Sequence, residues 1–372
     1  MKIICSRTNL LNGLQIVSKA VPNKPTMSIL ECILIEAENG KIKMTANDME
    51  LGIETTIEGN VIEKGTIALD ANNSKTLINI VRSYPESEVT VETDSSYVVS
   101  VSCEKSKFND IRGKSGEDFP YLPKIERKDS ILISQFTLKE VVRQTIFSIA
   151  DNNNNKLMTG ELFEIKGDNL RVASLDGHRI SIRNIKLKNS YPDKKVVVPG
   201  KILNEVSKIL SGDTDKDVSI FFTDNHILFE FDETVLISRL IEGEYFNIQQ
   251  MLSTDYETKV RINKKEFLDC INRATILVNE GDKKPVIITI TDEGMELKIN
   301  STAGSMNEEI DITKSGKDIM IGFNPKFLID ALKVIDDEEI DMYMVNPKAP
   351  CFIRDAQENY IYLILPVNFI TA

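Results

Sequence analysis

Tryptophan is absent from this chain of 372 residues, and histidine occurs only at His178 and His226. Two histidines cannot build a histidine-rich metal centre. The five cysteines, Cys5, Cys32, Cys103, Cys270 and Cys351, lie far apart, with no Cys-x-x-Cys pair and no histidine nearby. That spacing offers neither a zinc site nor a disulfide framework, so they read as reduced core residues. No apolar run approaches the roughly 20 residues that a membrane-spanning helix needs. The start, MKIICSRTNLLNGL, places a polar and basic stretch after one short apolar patch. A secretory signal has a longer apolar core, so a cytoplasmic location is expected.

Catalytic signatures are missing as well. The chain contains no GxxxxGK phosphate loop, no GxSxG elbow and no HExxH pair, which removes the commonest nucleotide, hydrolase and zinc-protease readings. The stretch from Asp213 to Asp224 opens like a calcium loop, but Val218 stands where glycine is required and Asp224 where a bidentate glutamate is. A turn before a strand explains it more simply. The carboxylates from Asp336 to Glu339 read as one solvated turn. No catalytic residue, metal or cofactor is expected.

What the chain does contain is a soluble, globular composition, 41% hydrophobic and 27% charged, with length enough for two or three domains. One pattern recurs at a spacing of about 125 to 130 residues. TNLLNGLQIVSKA, TLKEVVRQTIFSIA and NKKEFLDCINRATIL each show helical apolar spacing and open with Asn or Thr as a cap. Each leads into alternating strands broken by Gly, Asn or Asp turns, and Asp48 and Asp176 fall at matching places. A second strand-helix-strand half follows in every repeat. The joints echo one another too, GEDFPYLPKI against IEGEYFNIQQML. The expectation is an α+β protein of three repeated domains, 1–128, 129–254 and 255–372, each with two helices packed on antiparallel sheets.

Net charge is −12, which argues against nucleic acid as a partner until its distribution is considered. The six helical segments, Thr8 to Ala20, Lys75 to Ser83, Thr137 to Ile149, Gly200 to Leu210, Asn263 to Leu277 and Pro325 to Val334, are rich in Lys and Arg. They hold roughly +7, leaving roughly −19 for the remainder. Basic helices on acidic sheets let one face meet a polyanion while the other repels stray contacts. For any one helix, a solvated lysine face is the simpler account. Agreement over six favours a shared surface. Strand pairing across domains, with all helices on one side, would suit a curved or closed ring, although sequence does not establish closure.

Six motifs carry a family resemblance: NKPTMSIL (Asn23 to Leu30), SKFNDIRGKSGEDFPYLP (Ser106 to Pro123), ASLDGHRISI (Ala173 to Ile182), VPGKILNEVSKIL (Val198 to Leu210), RLIEGEYFN (Arg239 to Asn247) and YLILPV (Tyr362 to Val367). In this order and spacing the chain resembles, over essentially its whole length, the bacterial DNA polymerase III beta subunit, the sliding-clamp family. The resemblance implies the DNA clamp fold as half of a closed homodimeric ring, which encircles double-stranded DNA without reading its sequence. Implied partners are the DNA polymerase III catalytic subunit, the clamp loader and other proteins with clamp-binding motifs, with no membrane involved.

Carried over by position, the resemblance implies a partner-peptide pocket on Met158, Leu175, Gly177, His178, Arg179, Ile180, Phe246, Gln250, Met251, Asn324, Phe327, Leu363, Leu365, Pro366 and Val367. Such an apolar lining suits a short linear motif with leucine or phenylalanine anchors. Read without the family, DGHR is a polar turn and YIYLIL a core strand. For DNA the resemblance points to Lys24, Asn152 and Lys201, and helix charge adds Lys75, Arg82, Lys139 and Arg143. For the dimer contact it points to Phe108 facing Ile276 and Leu277. Departures from the family pattern are Asn152 to Asn155, Gln250, Asn368, Asp110 and the extension Phe369 to Ala372. Two rival classes remain open. A scaffold with the same pocket would be indifferent to whether a DNA circle is closed, and a carboxylate nuclease would cleave DNA when given metal.

Overall fold

The computed structural model describes residues 1–22, 24–128, 130–151, 155–278 and 284–369. Asn152, expected at a DNA contact, lies outside them, as do Asn153 and Asn154 of the same run and the last three residues of the extension.

Long helices start where strands stop. Ser6 ends strand Lys2–Ser6 in an extended conformation, and its Oγ accepts the Asn9 amide at 3.1 Å, which opens α1 (Arg7–Val17). Such a side chain satisfies one of the first-turn amides that have no partner inside the helix. Asp70 does the same for α2 (Ala71–Ser83), accepting from Asn73 at 2.9 Å. Ser134 does so for α3 (Gln135–Thr145), accepting from Thr137 at 3.1 Å. Then come α4 (Gly200–Ile209) and a single turn, α5 (Ile248–Met251). Asn263 caps α6 (Lys264–Thr275) and Asn324 caps α7 (Pro325–Val334). Two expectations are corrected here. The caps of α1 and α3 are the serines that close the preceding strands, not Thr8 or Thr137. Helix α2 begins four residues before Lys75, because Asp70 draws the polar run that follows it into the first turn.

The chain divides into two compact units, Met1–Thr137 with Glu205–Leu240, and Leu138–Asn204 with Ile241 onward. In the first, Asn60–Glu63, Lys2–Ser6, Glu88–Thr93, Val98–Cys103 and Ser106–Arg112 form a five-stranded sheet in that order. An eight-stranded sheet runs Ile131–Ser134, Asp217–Phe222, His226–Phe231, Thr234–Arg239, Leu51–Ile57, Lys41–Asn47, Ile33–Glu38, Gly65–Leu69. In the second, Gly160–Leu175, Arg179–Pro199, Tyr360–Ile364, Cys351–Arg354, Glu339–Met344, Thr258–Asn263 and Ile312–Gly316 form a seven-stranded sheet. Gly304–Ile310, Gly294–Ser301, Val286–Thr291 and Ile319–Phe323 make a sheet of four. All the pairings within these sheets are antiparallel.

Alternation along these strands feeds the cores. Val286, Ile288 and Ile290 meet Phe267 and Ile271 of α6 and Leu328 and Leu332 of α7, all of them buried. Each such side chain contributes about 1.5 to 3 kcal/mol on burial. The five cysteines are buried free thiols.

The matching aspartates perform one task. Asp48 Oδ1 accepts the amides of Glu50 (2.9 Å) and Leu51 (2.6 Å), and Asp176 Oδ1 those of His178 (2.9 Å) and Arg179 (3.1 Å). Beyond each turn the sheet continues with a strand from the next repeat. Arg239 donates its amide to the Glu50 carbonyl at 3.0 Å, and Leu365 donates to that of His178 at 2.9 Å.

Candidate functional site

The turn from Asp176 to Arg179 stands at one wall of an apolar groove. Gly177 takes φ +89°, a left-handed conformation that costs a side-chain-bearing residue about 1–2 kcal/mol. Nothing lies within 4 Å of where a Cβ would be, so the demand for glycine comes from the backbone alone. Met49 occupies the corresponding position of the first repeat with φ +74°.

Arg179 is 7% exposed and fixes this wall. Its Nε donates to Asp176 Oδ2 at 2.9 Å, Nη1 to Asp330 Oδ2 of α7 at 2.7 Å, and Nη2 to the Phe147 carbonyl at 2.5 Å. The guanidinium also lies over the rings of Phe147, at 5.4 Å, and Phe327, at 4.5 Å. A buried cation held by two carboxylates, a carbonyl and two aromatic faces is a structural anchor, since stripping such a partner costs about 3–5 kcal/mol. The His178 ring is exposed and stacks on Phe327 at 6.1 Å.

Ten of the residues expected at the pocket, Met158, Leu175, Gly177, His178, Arg179, Ile180, Phe246, Met251, Leu363 and Leu365, line one cavity of about 350 Å³. Its floor comes from strand pairs: Leu175 opposite Ile180, and Ile180 opposite Leu363. Pro350 completes the lining and escaped the sequence reading, because it sits in an irregular segment with no periodicity to place it. Phe327 lines a neighbouring cavity of about 580 Å³, shared with His178 and Arg179. Asn324 is the α7 cap, its Oδ1 accepting the Lys326 amide at 3.0 Å. Val367 donates its amide to the Gly322 carbonyl at 2.8 Å, and Pro366 precedes it, half-buried. Gln250 is exposed on α5. The groove is thus an apolar trough with one polar wall.

The basic residues divide by how they are engaged. Among the described residues the seven helices hold twelve basic and five acidic side chains, so the positive surplus survives the redrawn boundaries. Lys24 and Lys75 are exposed and make no ion pair among those residues; Arg82 is exposed and donates only to Asn79 Oδ1 at 3.4 Å. Arg143, by contrast, is tied to Glu140 at 2.5 Å and to Asp336 at 3.1 Å. Lys201 is exposed at the start of α4, and Lys139 is half-buried on α3. Phe108 is 42% exposed on the outer strand of the five-stranded sheet. Ile276 is 80% exposed just after α6, and Leu277 reaches to 3.7 Å of a Cβ built on Gly304, the first residue of the outer strand of the four-stranded sheet. Among the described residues, no three His, Cys, Asp or Glu side chains are grouped so as to hold a metal ion, and no helix is long and apolar enough to cross a membrane.

Residues 1–123, 132–247 and 249–368 match, in turn, the N-terminal, central and C-terminal domains of the DNA polymerase III beta subunit. The beta sliding clamp of Staphylococcus epidermidis is 30% identical over 376 residues, covering 99% of each chain. The DNA polymerase sliding clamp of Bacillus subtilis superposes with a TM-score of 0.94 at 30% identity over 100% of both chains. A chain from Eubacterium rectale, described as a DNA polymerase III beta subunit, does so with a TM-score of 0.94 at 67% identity, over 99% of this chain and 100% of that one. On sequence, fold and domain order together, this chain belongs to the DNA polymerase III beta subunit family, the beta sliding clamps.

Proposed function

We propose that two copies of this chain close head to tail around duplex DNA and that the apolar groove holds a peptide of the replicative polymerase, giving processive synthesis. The observation that carries the closure is an arithmetic of half-repeats. Take the repeats as 1–128, 129–254 and 255–372. Strands from the first half of repeat one share a sheet with strands from the second half of repeat two, through Leu51–Ile57 and Thr234–Arg239. The first half of repeat two does the same with the second half of repeat three, through Arg179–Pro199 and Tyr360–Ile364. Left over are the first half of repeat three and the second half of repeat one. Their outer strands, Gly304–Ile310 and Ser106–Arg112, occupy the positions that make the joint in the other two sheets, and both have one unpaired edge among the described residues. An exposed edge is a template for pairing with another chain. A second copy offers each edge its missing counterpart, with Phe108 on one side and Ile276 and Leu277 on the other to exclude water.

In this reading Lys24, Lys75, Arg82, Lys201, Lys139 and Asn152 meet phosphates through weak, movable contacts, and topology prevents escape. Arg143 contributes field more than contact, since its guanidinium already serves Glu140 and Asp336. The groove takes the leucine or phenylalanine anchors of a linear motif shared by the polymerase catalytic subunit, the clamp loader and other partners. The protein acts in the cytoplasm and catalyses nothing itself. Loading it onto a nicked circular plasmid tests the whole: it should stay bound through a high-salt wash and be lost once the circle is cut. Equal retention on circle and linear DNA would reject encirclement and favour a scaffold, and metal-dependent cleavage would favour a nuclease.

A further inference from the structure

One buried acid beside the groove has no role in peptide or DNA contact. Glu161 is the second residue of strand Gly160–Leu175 and is 0% exposed. Both of its carboxyl oxygens are buried without a hydrogen-bond partner. Around it the polar groups are few. Thr145, from the end of α3, donates its hydroxyl to the Val141 carbonyl at 2.7 Å, and its nearness to Glu161 works to lower that carboxyl. Tyr245, 3% exposed, brings a hydroxyl that also lacks a partner. Val198 faces it from the neighbouring strand, and no cation is among the groups that act on it.

An ionised carboxylate in such a place would have no counter-ion and, beyond the Thr145 hydroxyl already engaged by Val141, no group that favours it, a cost of several kcal/mol even after relaxation. The protonated acid carries no charge to desolvate and is the cheaper form to bury. Burial outweighs the opposing effect of Thr145 and pushes the Glu161 carboxyl up to about 8 from its ordinary 4.5, and proximity to Glu161 joins burial in raising the Tyr245 phenol.

The surroundings of this acid lead directly to the groove. Tyr245 packs edge-on against Phe246 at 5.6 Å, and Phe246 lines the cavity. The Ser174 hydroxyl donates to the Thr145 carbonyl at 2.5 Å, next to Leu175 of the floor. Met158 lies three residues before Glu161 on the same run of chain.

We propose that Glu161 is a buried carboxylic acid that must remain uncharged for the groove to keep its shape, so that affinity for a partner peptide declines in alkaline solution. The inference rests on the peptide reading of the groove. Ionisation at Glu161 pulls water or a donor into the seam between α3 and the strand, displaces Tyr245, and with it the Phe246 wall. The other titratable or charged residues lining the groove and the cavity beside it, Asp151, Asp176, His178, Arg179, Lys326 and Asp330, are common to any Glu161 variant.

The sign follows from linkage. The folded protein holds a proton on Glu161 that the unfolded chain releases near 4.5, so stability is fullest below that value and falls as pH rises towards about 8. The test compares the wild type with Glu161→Gln, which keeps the shape and cannot ionise, and with Glu161→Met as a second uncharged variant. Calorimetry with a capped decapeptide carrying leucine and phenylalanine anchors and no titratable group should show wild-type binding about tenfold weaker at pH 9 than at pH 7. Both variants should bind equally at the two values, and their unfolding temperatures should not drop over that range as the wild type's does. Parallel profiles for the wild type and the variants would overturn the role of Glu161. Absence of peptide binding at every pH would instead remove the groove reading and the coupling built on it, while the unfolding profiles would still report the buried acid.

Discussion

At the scale of single residues, the proposed peptide reading divides the groove into side chains that would contact a ligand and side chains that hold the walls. Met251 belongs to the first kind, 39% exposed at the rim of an apolar trough. Met251→Lys should weaken binding of an apolar-anchored peptide more than tenfold, since a cation there must be desolvated to admit it, while the self-association of the chain is unchanged; fluorescence anisotropy with a labelled peptide reports the first and sedimentation the second. Gly177 belongs to the second kind. Gly177→Ala meets no atom within 4 Å, so its cost is that of a left-handed alanine, about 1–2 kcal/mol, readable in urea unfolding as a lower midpoint at constant slope. A loss several times larger would mean that the turn is held more tightly than its open surroundings indicate. Ten positions of the groove were legible in the sequence through the family resemblance. The reason Arg179 matters was not. Its partners Asp330 and Phe147 are 151 and 32 residues away, and no local pattern announces a bond over such a separation. Glu161 was equally hidden, because in the alternating run GELFEI a glutamate reads as the solvent face of a half-buried strand, whereas this strand is buried on both faces at that point.

At the scale of elements, periodicity and punctuation placed all six long helices, and Pro325–Val334 has the bounds its spacing suggests. The helix starts were less legible. A serine that ends a strand and caps the next helix belongs to both patterns, and the threonine two or three residues on competes for the same reading. Ser134 shows the stake: its Oγ holds the Thr137 amide, and its removal leaves that donor unpaired. Ser134→Ala should lower stability by about 1 kcal/mol, seen as a fall in the unfolding midpoint, and Ser134→Asp should restore it. No change for alanine would show that water serves the α3 terminus as well. The turns were legible in a stronger sense, since Asp48 and Asp176 stand at matching places in the sequence and accept the same pair of amides in the structure.

At the scale of the whole molecule, the threefold repeat was evident from self-comparison, but the way sheets are shared was not. Sequence shows which segments alternate; it does not show that the second half of one repeat finishes the sheet begun by the first half of the repeat before it. That rule depends on edge-to-edge pairing between strands about 180 residues apart, as between Thr55 and Thr234, whose hydroxyls also bond at 2.8 Å. Applied to the ends of the chain, the same rule leaves two open edges and calls for a second copy. The most direct test is the solution mass from light scattering of the wild type beside Ile276→Asp, which places a charge at the 80% exposed isoleucine proposed to meet the second copy. The wild type should have twice the mass of one chain, and the variant should shift towards a single chain without unfolding. A wild type that remains a single chain at concentrations well above those of its use would contradict the closed ring and everything argued from it.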